Sequence, residues 1–203
     1  MDDEEYLAEH IKGLEASVAY FAPGTTKARE LYTANSFLEN LQLTFAEDEL
    51  MSPDDDPPDI TFREARFEIK EILDPGRRRH AEYKAALKRA RTLKDPKDSF
   101  EMFTPKNAHI TGILGRCELA AEELKIKYPD AVRAGLDLLF YVNLQKVFRL
   151  IETPFPVTGH LASYGWRSIS FVMGQRSSCL YARDDAPDFI KAALGRVIHL
   201  HPR

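Results

Sequence analysis

Two short segments of this 203-residue chain carry acidic and basic side chains at a spacing that could bind a metal ion. Pro58-Asp59 comes first, and Glu68-Ile69-Lys70 follows after eight intervening residues. Glu68 and Lys70 would point to one side of an extended strand, because alternate residues of a strand share a face. Asp59 reaches the same place if its own strand pairs with that one. The two carboxylates and the carbonyl oxygen of Ile69 are hard oxygen ligands, which suit Mg²⁺ and Mn²⁺.

A divalent cation at this place would serve the hydrolysis of a phosphodiester, by polarising it and by lowering the pKa of a bound water. Lys70 could orient that water or offset charge on the pentavalent transition state. An alternative is that Glu68 and Lys70 form a solvent-facing ion pair, which contributes little. Because eight intervening residues demand a tight hairpin, the first ligand could instead be Asp54, Asp55 or Asp56.

The acid-x-Lys pattern is informative only through its context. An Asp or Glu two residues before a Lys occurs four times in the chain. Glu82–Lys84 and Glu123–Lys125 lie on helical patterns, and Asp95-Pro96-Lys97 is a turn. Glu68–Lys70 is the one occurrence that combines a strand pattern with a Pro-Asp closely upstream, so we regard it as the candidate site.

The elements that must position this site follow from the spacing of apolar residues. Helical spacing predicts four longer helices, over about residues 3–21, 25–41, 77–93 and 109–127. Extended patterns predict strands around the site and beyond it, at Gln42–Phe45, Asp59–Phe62, Phe67–Leu73, Leu136–Val142, Trp166–Met173, Ser178–Ala182 and Val197–Leu200. Four residues, 63–66, would join the two strands of the site, and Leu136–Val142 is apolar enough to be a central buried strand. A short helix is expected at 186–194.

This arrangement resembles the PD-(D/E)XK nuclease superfamily, mainly over residues 25–95. The order of elements looks like the superfamily's αβββαβ core, with Leu136–Val142 as the later strand after an inserted helix. The resemblance implies an α/β (α+β) fold: a restriction-endonuclease-like core with a mixed central sheet flanked by helices, an N-terminal helix and C-terminal β-rich additions. The chain is also similar to a small bacterial family that is labelled as endonucleases and has no demonstrated activity.

By this resemblance, the chain would be a Mg²⁺- or Mn²⁺-dependent endonuclease that cleaves DNA, or RNA. Asp59 and Glu68 would be metal ligands, and Lys70 the catalytic lysine. Members of the superfamily often add an acid from the first core helix, and Glu39, or with less support Glu30, would take that place. The alternative is a nuclease-like fold that has lost catalysis and serves as a nucleic-acid-binding or protein-interaction module.

Charge is distributed unevenly along the chain, whose net charge is −4. Residues 1–74 hold 19 acidic and 6 basic side chains, whereas residues 77–97 hold 9 basic and 2 acidic ones. A basic block is typical of a phosphate-binding surface or of a solvated helix face. Six of its side chains are candidates for sequence-independent contacts with nucleic-acid phosphates: Arg77, Arg78, Arg79, Lys84, Lys88 and Arg91. The acidic N-terminal third favours a protein partner or a homodimer.

Length and composition predict a single domain over residues 1–203, with a core at about 25–145 and a β-rich extension at about 146–203. Two cysteines, Cys117 and Cys179, cannot build a disulfide framework, which favours a reducing compartment. The first residues are acidic, unlike a secretory signal, and no apolar stretch approaches the roughly 20 residues that span a bilayer. We therefore expect a soluble cytoplasmic protein without membrane association.

Overall fold

The computed structural model describes residues 2–200 of the chain. Within them lie six α-helices: α1 (Asp3–Tyr20), α2 (Thr26–Asn40), α3 (Arg79–Ala90), α4 (Ile110–Lys127), α5 (Asp130–Arg133) and α6 (Asp188–Lys191). The strands are β1 (Leu50–Met51), β2 (Ile60–Phe62), β3 (Ala65–Leu73), β4 (Lys106–His109), β5 (Asp137–Asn143), β6 (Val147–Ile151), β7 (Ser168–Met173), β8 (Arg176–Ala182) and β9 (Val197–His199).

Seven of the strands form one mixed sheet in the order β1-β2-β3-β5-β7-β8-β9. β1, β2 and β3 are antiparallel neighbours, β5 runs parallel to both β3 and β7, and β7, β8 and β9 are again antiparallel. A parallel pair needs a long crossover, and the segment between β3 and β5 includes α4. β4 and β6 form a separate parallel pair.

Helices cover both faces of the seven-stranded sheet. Phe37 of α2 is fully buried in a cluster on one face that also contains Leu139 of β5. Ile113 of α4 is buried on the other face with Leu138 and Phe140. Successive residues of β5 therefore enter opposite clusters, as expected for a central strand that is buried on both sides. The predicted class, an α/β protein with a mixed central sheet flanked by helices, is confirmed.

Contacts between residues divide the chain into two compact units. The first comprises the described residues through Thr26 together with Asp74–Pro105, and it contains α1 and α3. The second comprises Lys27–Leu73 together with the described residues from Lys106 onward, and it contains the whole sheet. The expectation of a single domain stays a prediction.

The β2–β3 hairpin is tighter than the sequence predicted. Phe62 pairs with Ala65, so two residues, Arg63 and Glu64, make the turn in place of the expected four. Arg63 has a φ of 50°, in the left-handed region that non-glycine residues seldom occupy. Its Nε donates to Glu49 Oε2 at 2.8 Å, and this ion pair ties the turn to the segment before β1.

Other differences concern short or polar segments. The predicted strand at Gln42–Phe45 is wrong, because the residues that pair with β2 are those of β1. β4 and β6 were not predicted. β4 has four residues and is mostly polar and exposed, and β6 is a five-residue, mainly apolar strand without alternation between apolar and polar residues. β7, β8 and β9 join the main sheet, so most of the expected C-terminal extension is continuous with the core. No helix in the described part of the chain combines the length and the apolar character needed to cross a membrane.

Candidate metal centre

The pairing of β2 with β3 places Asp59 beside Glu68. Ile60 is the partner of Phe67 in this antiparallel ladder, so the residue before Ile60 lies opposite the residue after Phe67. The Asp59 side chain extends the ladder, because its Oδ2 accepts the backbone N–H of Ile69 at 2.8 Å. In an antiparallel ladder the N–H and C=O of one residue face the same strand edge, so the Ile69 carbonyl faces the edge where Asp59 lies.

Three carboxylates converge at this edge. Asp56, Asp59 and Glu68 each offer one oxygen, and these oxygens lie within 4.8 Å of one another. Asp56 is exposed, Asp59 is half-buried, and Glu68 is only 4% exposed. The cluster therefore runs from solvent into the protein. The predicted convergence of Asp59 and Glu68 is present, and Asp56, which was an alternative to Asp59, lies with them.

A fourth acid, Glu30, reaches the cluster from α2. Its side chain is hydrogen-bonded to that of Asp59. The pKa of Glu30 is raised to about 7, chiefly by burial and further by the negative charges of Asp59 and Glu68. Glu39 is not in this group: it is exposed and lies nine residues later, about two and a half helical turns away and on the opposite side of α2. The helix acid beside Asp59 is thus Glu30.

The pKa values of the two inner carboxyl groups are also raised. For Asp59 the main cause is burial, which the hydrogen bond from the Ile69 N–H partly offsets. For Glu68 the main cause is again burial, and the hydrogen bond from Tyr128 acts in the opposite direction. Each group also experiences the negative charge of Asp56. Such crowding of acids disfavours full ionisation without a neutralising cation.

The positive charge nearest Glu68 among the described ion pairs comes from the end of α4. Lys127 Nζ lies 3.6 Å from Glu68 Oε1, and the Tyr128 hydroxyl donates to the same oxygen at 2.6 Å. Lys70 shares a face of β3 with Glu68 and is half-buried, but it forms none of the ion pairs found among the described residues. The alternative, a solvent-facing ion pair between Glu68 and Lys70, is therefore not present among the described residues.

The six basic candidates all lie in the first compact unit, on α3 or next to it. Three of them contact neighbours in that unit: Arg77 binds Glu82, Arg79 lies over the ring of Phe21, and Arg91 binds Glu15. Arg78, Lys84 and Lys88 are exposed and form no ion pair with any described residue. The surface that remains available for phosphates is consequently smaller than the sequence suggested.

Sequence reasoning missed Lys127 and Tyr128, which lie about sixty residues after Glu68 and match no motif. The sequence did contain a pattern that places Glu30 on the side of α2 that faces the sheet. Glu30 precedes the buried residues Ala34 and Phe37 by four and seven positions, so it shares their side of the helix. Glu39 does not have that spacing.

These features define a mixed α/β protein with a carboxylate cluster beside the first strands of its sheet. The chain belongs to the family DUF1780, described as "Putative endonuclease, protein of unknown function", which matches residues 2–203. The expected similarity to a family labelled as endonucleases is thereby confirmed. That description names neither a metal nor a substrate.

One solved structure has a similar fold over nearly the whole chain. It is a protein of unknown function from Pseudomonas aeruginosa strain PAO1, whose description also names the monooxygenase superfamily. The similarity covers 98% of this chain and 96% of that one, with a TM-score of 0.68 and 25% sequence identity. Among curated proteins, none matches the sequence of this chain.

Proposed function

We propose that this protein is a metal-dependent nuclease that hydrolyses phosphodiester bonds of DNA, with RNA as the alternative substrate. The observation that carries the proposal is the convergence of Asp56, Asp59 and Glu68 within 4.8 Å, together with a buried Glu68 oxygen that has no hydrogen-bond partner among the described residues. A set of carboxylates without histidine or cysteine suits Mg²⁺ or Mn²⁺. The family description as an endonuclease supports the same class of activity.

The order of elements supports a PD-(D/E)XK-type core. In the second compact unit, α2 is followed by the antiparallel strands β1, β2 and β3, then by α4 and by β5 parallel to β3. This is the αβββαβ order that the resemblance implies if α4 is taken as the helix after β3. The sequence resemblance assigned that place to the helix at about 77–93, which is α3 and belongs to the first compact unit. Asp59 immediately precedes β2, and Glu68 and Lys70 lie within β3.

In this proposal Asp56, Asp59 and Glu68 hold the cation, and the Ile69 carbonyl is available at the same strand edge. When bound, the cation would supply charge neutralisation and Lewis-acid polarisation of the phosphodiester. Glu30 shares a hydrogen bond with Asp59, and in the metal-free protein its pKa is raised to about 7.

Two lysines near the cluster are suited to offset negative charge on the phosphodiester. Lys127 places an ammonium group 3.6 Å from Glu68, with its side chain more than half exposed to solvent. Lys70 lies on the same face of β3 as Glu68. A strongly hydrated, flexible ammonium group at either position can offset the charge that develops on a phosphate.

Arg78, Lys84 and Lys88 are proposed to contact backbone phosphates. Lys84 and Lys88 are one helical turn apart on α3, so their side chains extend from the same side of that helix. Contacts of this kind strengthen binding without selecting a base sequence.

The test compares wild type with Asp59→Asn and Glu68→Gln, using calorimetric titration with Mn²⁺ and nicking of a supercoiled plasmid. Glu39→Gln is the matched control, because it removes an exposed acid from α2 far from the cluster. Wild type and control should bind Mn²⁺ and nick the plasmid, whereas both site variants should lose nicking. Failure of wild type to bind Mn²⁺ would refute the proposal. DNA binding that needs Lys84 and Lys88, without nicking in any metal, would support the non-catalytic alternative.

A further inference from the structure

Glu68 is the most deeply buried acid of the cluster, and its two oxygens have different surroundings. Oε1 accepts the hydrogen bond from Tyr128 at 2.6 Å and lies 3.6 Å from Lys127 Nζ. Oε2 is also buried, but it has no hydrogen-bond partner among the described residues. Leaving a buried carboxylate oxygen without a partner is costly, so a native structure that does so needs an explanation. A ligand that binds through Oε2 would supply one.

Tyr128 is itself held from several sides. It follows the last residue of α4, where its backbone N–H donates to the carbonyl of Leu124 at 3.0 Å. Its own carbonyl accepts a hydrogen bond from Arg133, a buried residue. Its ring meets the fully buried ring of Trp166 edge to face, with 5.9 Å between the ring centroids. The hydroxyl therefore has a fixed position, to which the Glu68 carboxylate must adapt.

We propose that Tyr128 is a positioning residue of the cation site: by binding Oε1 from a fixed direction, it reserves Oε2 of Glu68 for Mg²⁺ or Mn²⁺. This inference rests on the proposed function, because it concerns the same cation. Tyr128 is not assigned as a metal ligand, and its hydroxyl acts through Glu68 Oε1. Groups that orient metal ligands in this way commonly determine affinity, and their loss typically weakens metal binding by about 10- to 100-fold.

The primary test is Tyr128→Phe in the full chain, which removes the hydroxyl and keeps the ring against Trp166. We expect the Kd for Mn²⁺, measured by calorimetry, to rise by about 10- to 100-fold. Plasmid nicking should recover when the Mn²⁺ concentration is raised by the same factor. A purely structural role would lower the stability of the metal-free protein without this recovery. Tyr164→Phe is the control, since the Tyr164 hydroxyl bonds to none of the described residues and its loss should leave the Kd unchanged.

The outcomes separate this inference from the proposed function. If wild type does not bind Mn²⁺, the proposed function fails. If wild type binds Mn²⁺ and Tyr128→Phe binds it equally well, only the positioning role is refuted. Should Tyr128→Phe not fold, Tyr128→Met takes its place, because it also removes the hydroxyl that donates to Glu68. The Kd for Mn²⁺ should again rise by about 10- to 100-fold, and an unchanged Kd would refute the positioning role.

Discussion

Replacing Glu30 by Gln should stabilise the metal-free protein at pH 8 and have little effect at pH 4. The pKa of Glu30 is raised from 4.5 to about 7, first by burial and then by the charges of Asp59 and Glu68. A carboxyl group whose pKa is higher in the folded than in the unfolded protein binds its proton more tightly in the folded state. The free energy of unfolding therefore falls as the pH rises from the pKa of the unfolded protein to that of the folded protein. The full penalty is therefore present above about pH 7 and absent below about pH 4.5.

The size of the effect follows from that rise in pKa. At about 1.4 kcal/mol for each tenfold change in proton affinity, the rise from 4.5 to about 7 corresponds to about 3 kcal/mol. Glu30 is only half-buried, so solvent screening reduces this figure, and we expect about 1–2 kcal/mol. Gln keeps a side-chain donor for Asp59, so the hydrogen bond need not be lost.

The measurement is urea unfolding of wild type and Glu30→Gln in the presence of a chelator, at several pH values between 4 and 8. Glu39→Gln is the control, because its side chain lies exposed on the opposite side of the same helix. Glu30→Gln should be more stable than this control at pH 8. The reasoning is refuted if Glu30→Gln differs from wild type by the same amount at every pH, or if it is the less stable protein at pH 8.

The proton on Glu30 should compete with a divalent cation that binds at the carboxylate cluster. Binding of a divalent cation favours ionised carboxylates and releases protons. The affinity of wild type for Mn²⁺ should therefore increase as pH rises through about 7, and this dependence should be weaker in Glu30→Gln. Calorimetry in buffers with different ionisation enthalpies counts the protons released. An equal count in wild type and variant would exclude Glu30 as their source.

Three further predictions address other parts of the molecule. Lys127→Gln removes a positive charge 3.6 Å from Glu68 and should tighten Mn²⁺ binding about fivefold in calorimetry, the equivalent of about 1 kcal/mol at an exposed site. The double variant Lys84→Ala/Lys88→Ala should weaken DNA binding for all sequences and reduce the slope of log K against log salt by about 2, measured by fluorescence anisotropy. Burial raises the pKa of the Cys117 thiol, and it raises that of the Cys179 thiol to about 12. Both thiols should therefore resist iodoacetamide in the folded protein and react after unfolding, and mass spectrometry would measure this.

The part of the site that the sequence predicted is the part built by one hairpin. Asp59 and Glu68 are close in the chain, and strand periodicity together with a short connection is enough to bring them together. The sequence placed their strands within two residues of the observed bounds, although the turn is shorter than expected. The identity of the helix acid depends on which side of α2 faces the sheet, and Glu30, unlike Glu39, shares the side of the buried residues Ala34 and Phe37.

The contribution of α4 depends on a parallel crossover and leaves no local pattern. Asp137 pairs with Phe67, so β5 begins at the level of β3 where Glu68 lies. A crossover helix returns along the sheet before the next parallel strand starts, so the end of α4 must come near the start of β5. Tyr128 directly follows α4 and precedes β5 by nine residues, which leaves it close to the level of Glu68. The register of two parallel strands thus determines which side chain meets the buried carboxylate, and that register is a property of the assembled sheet.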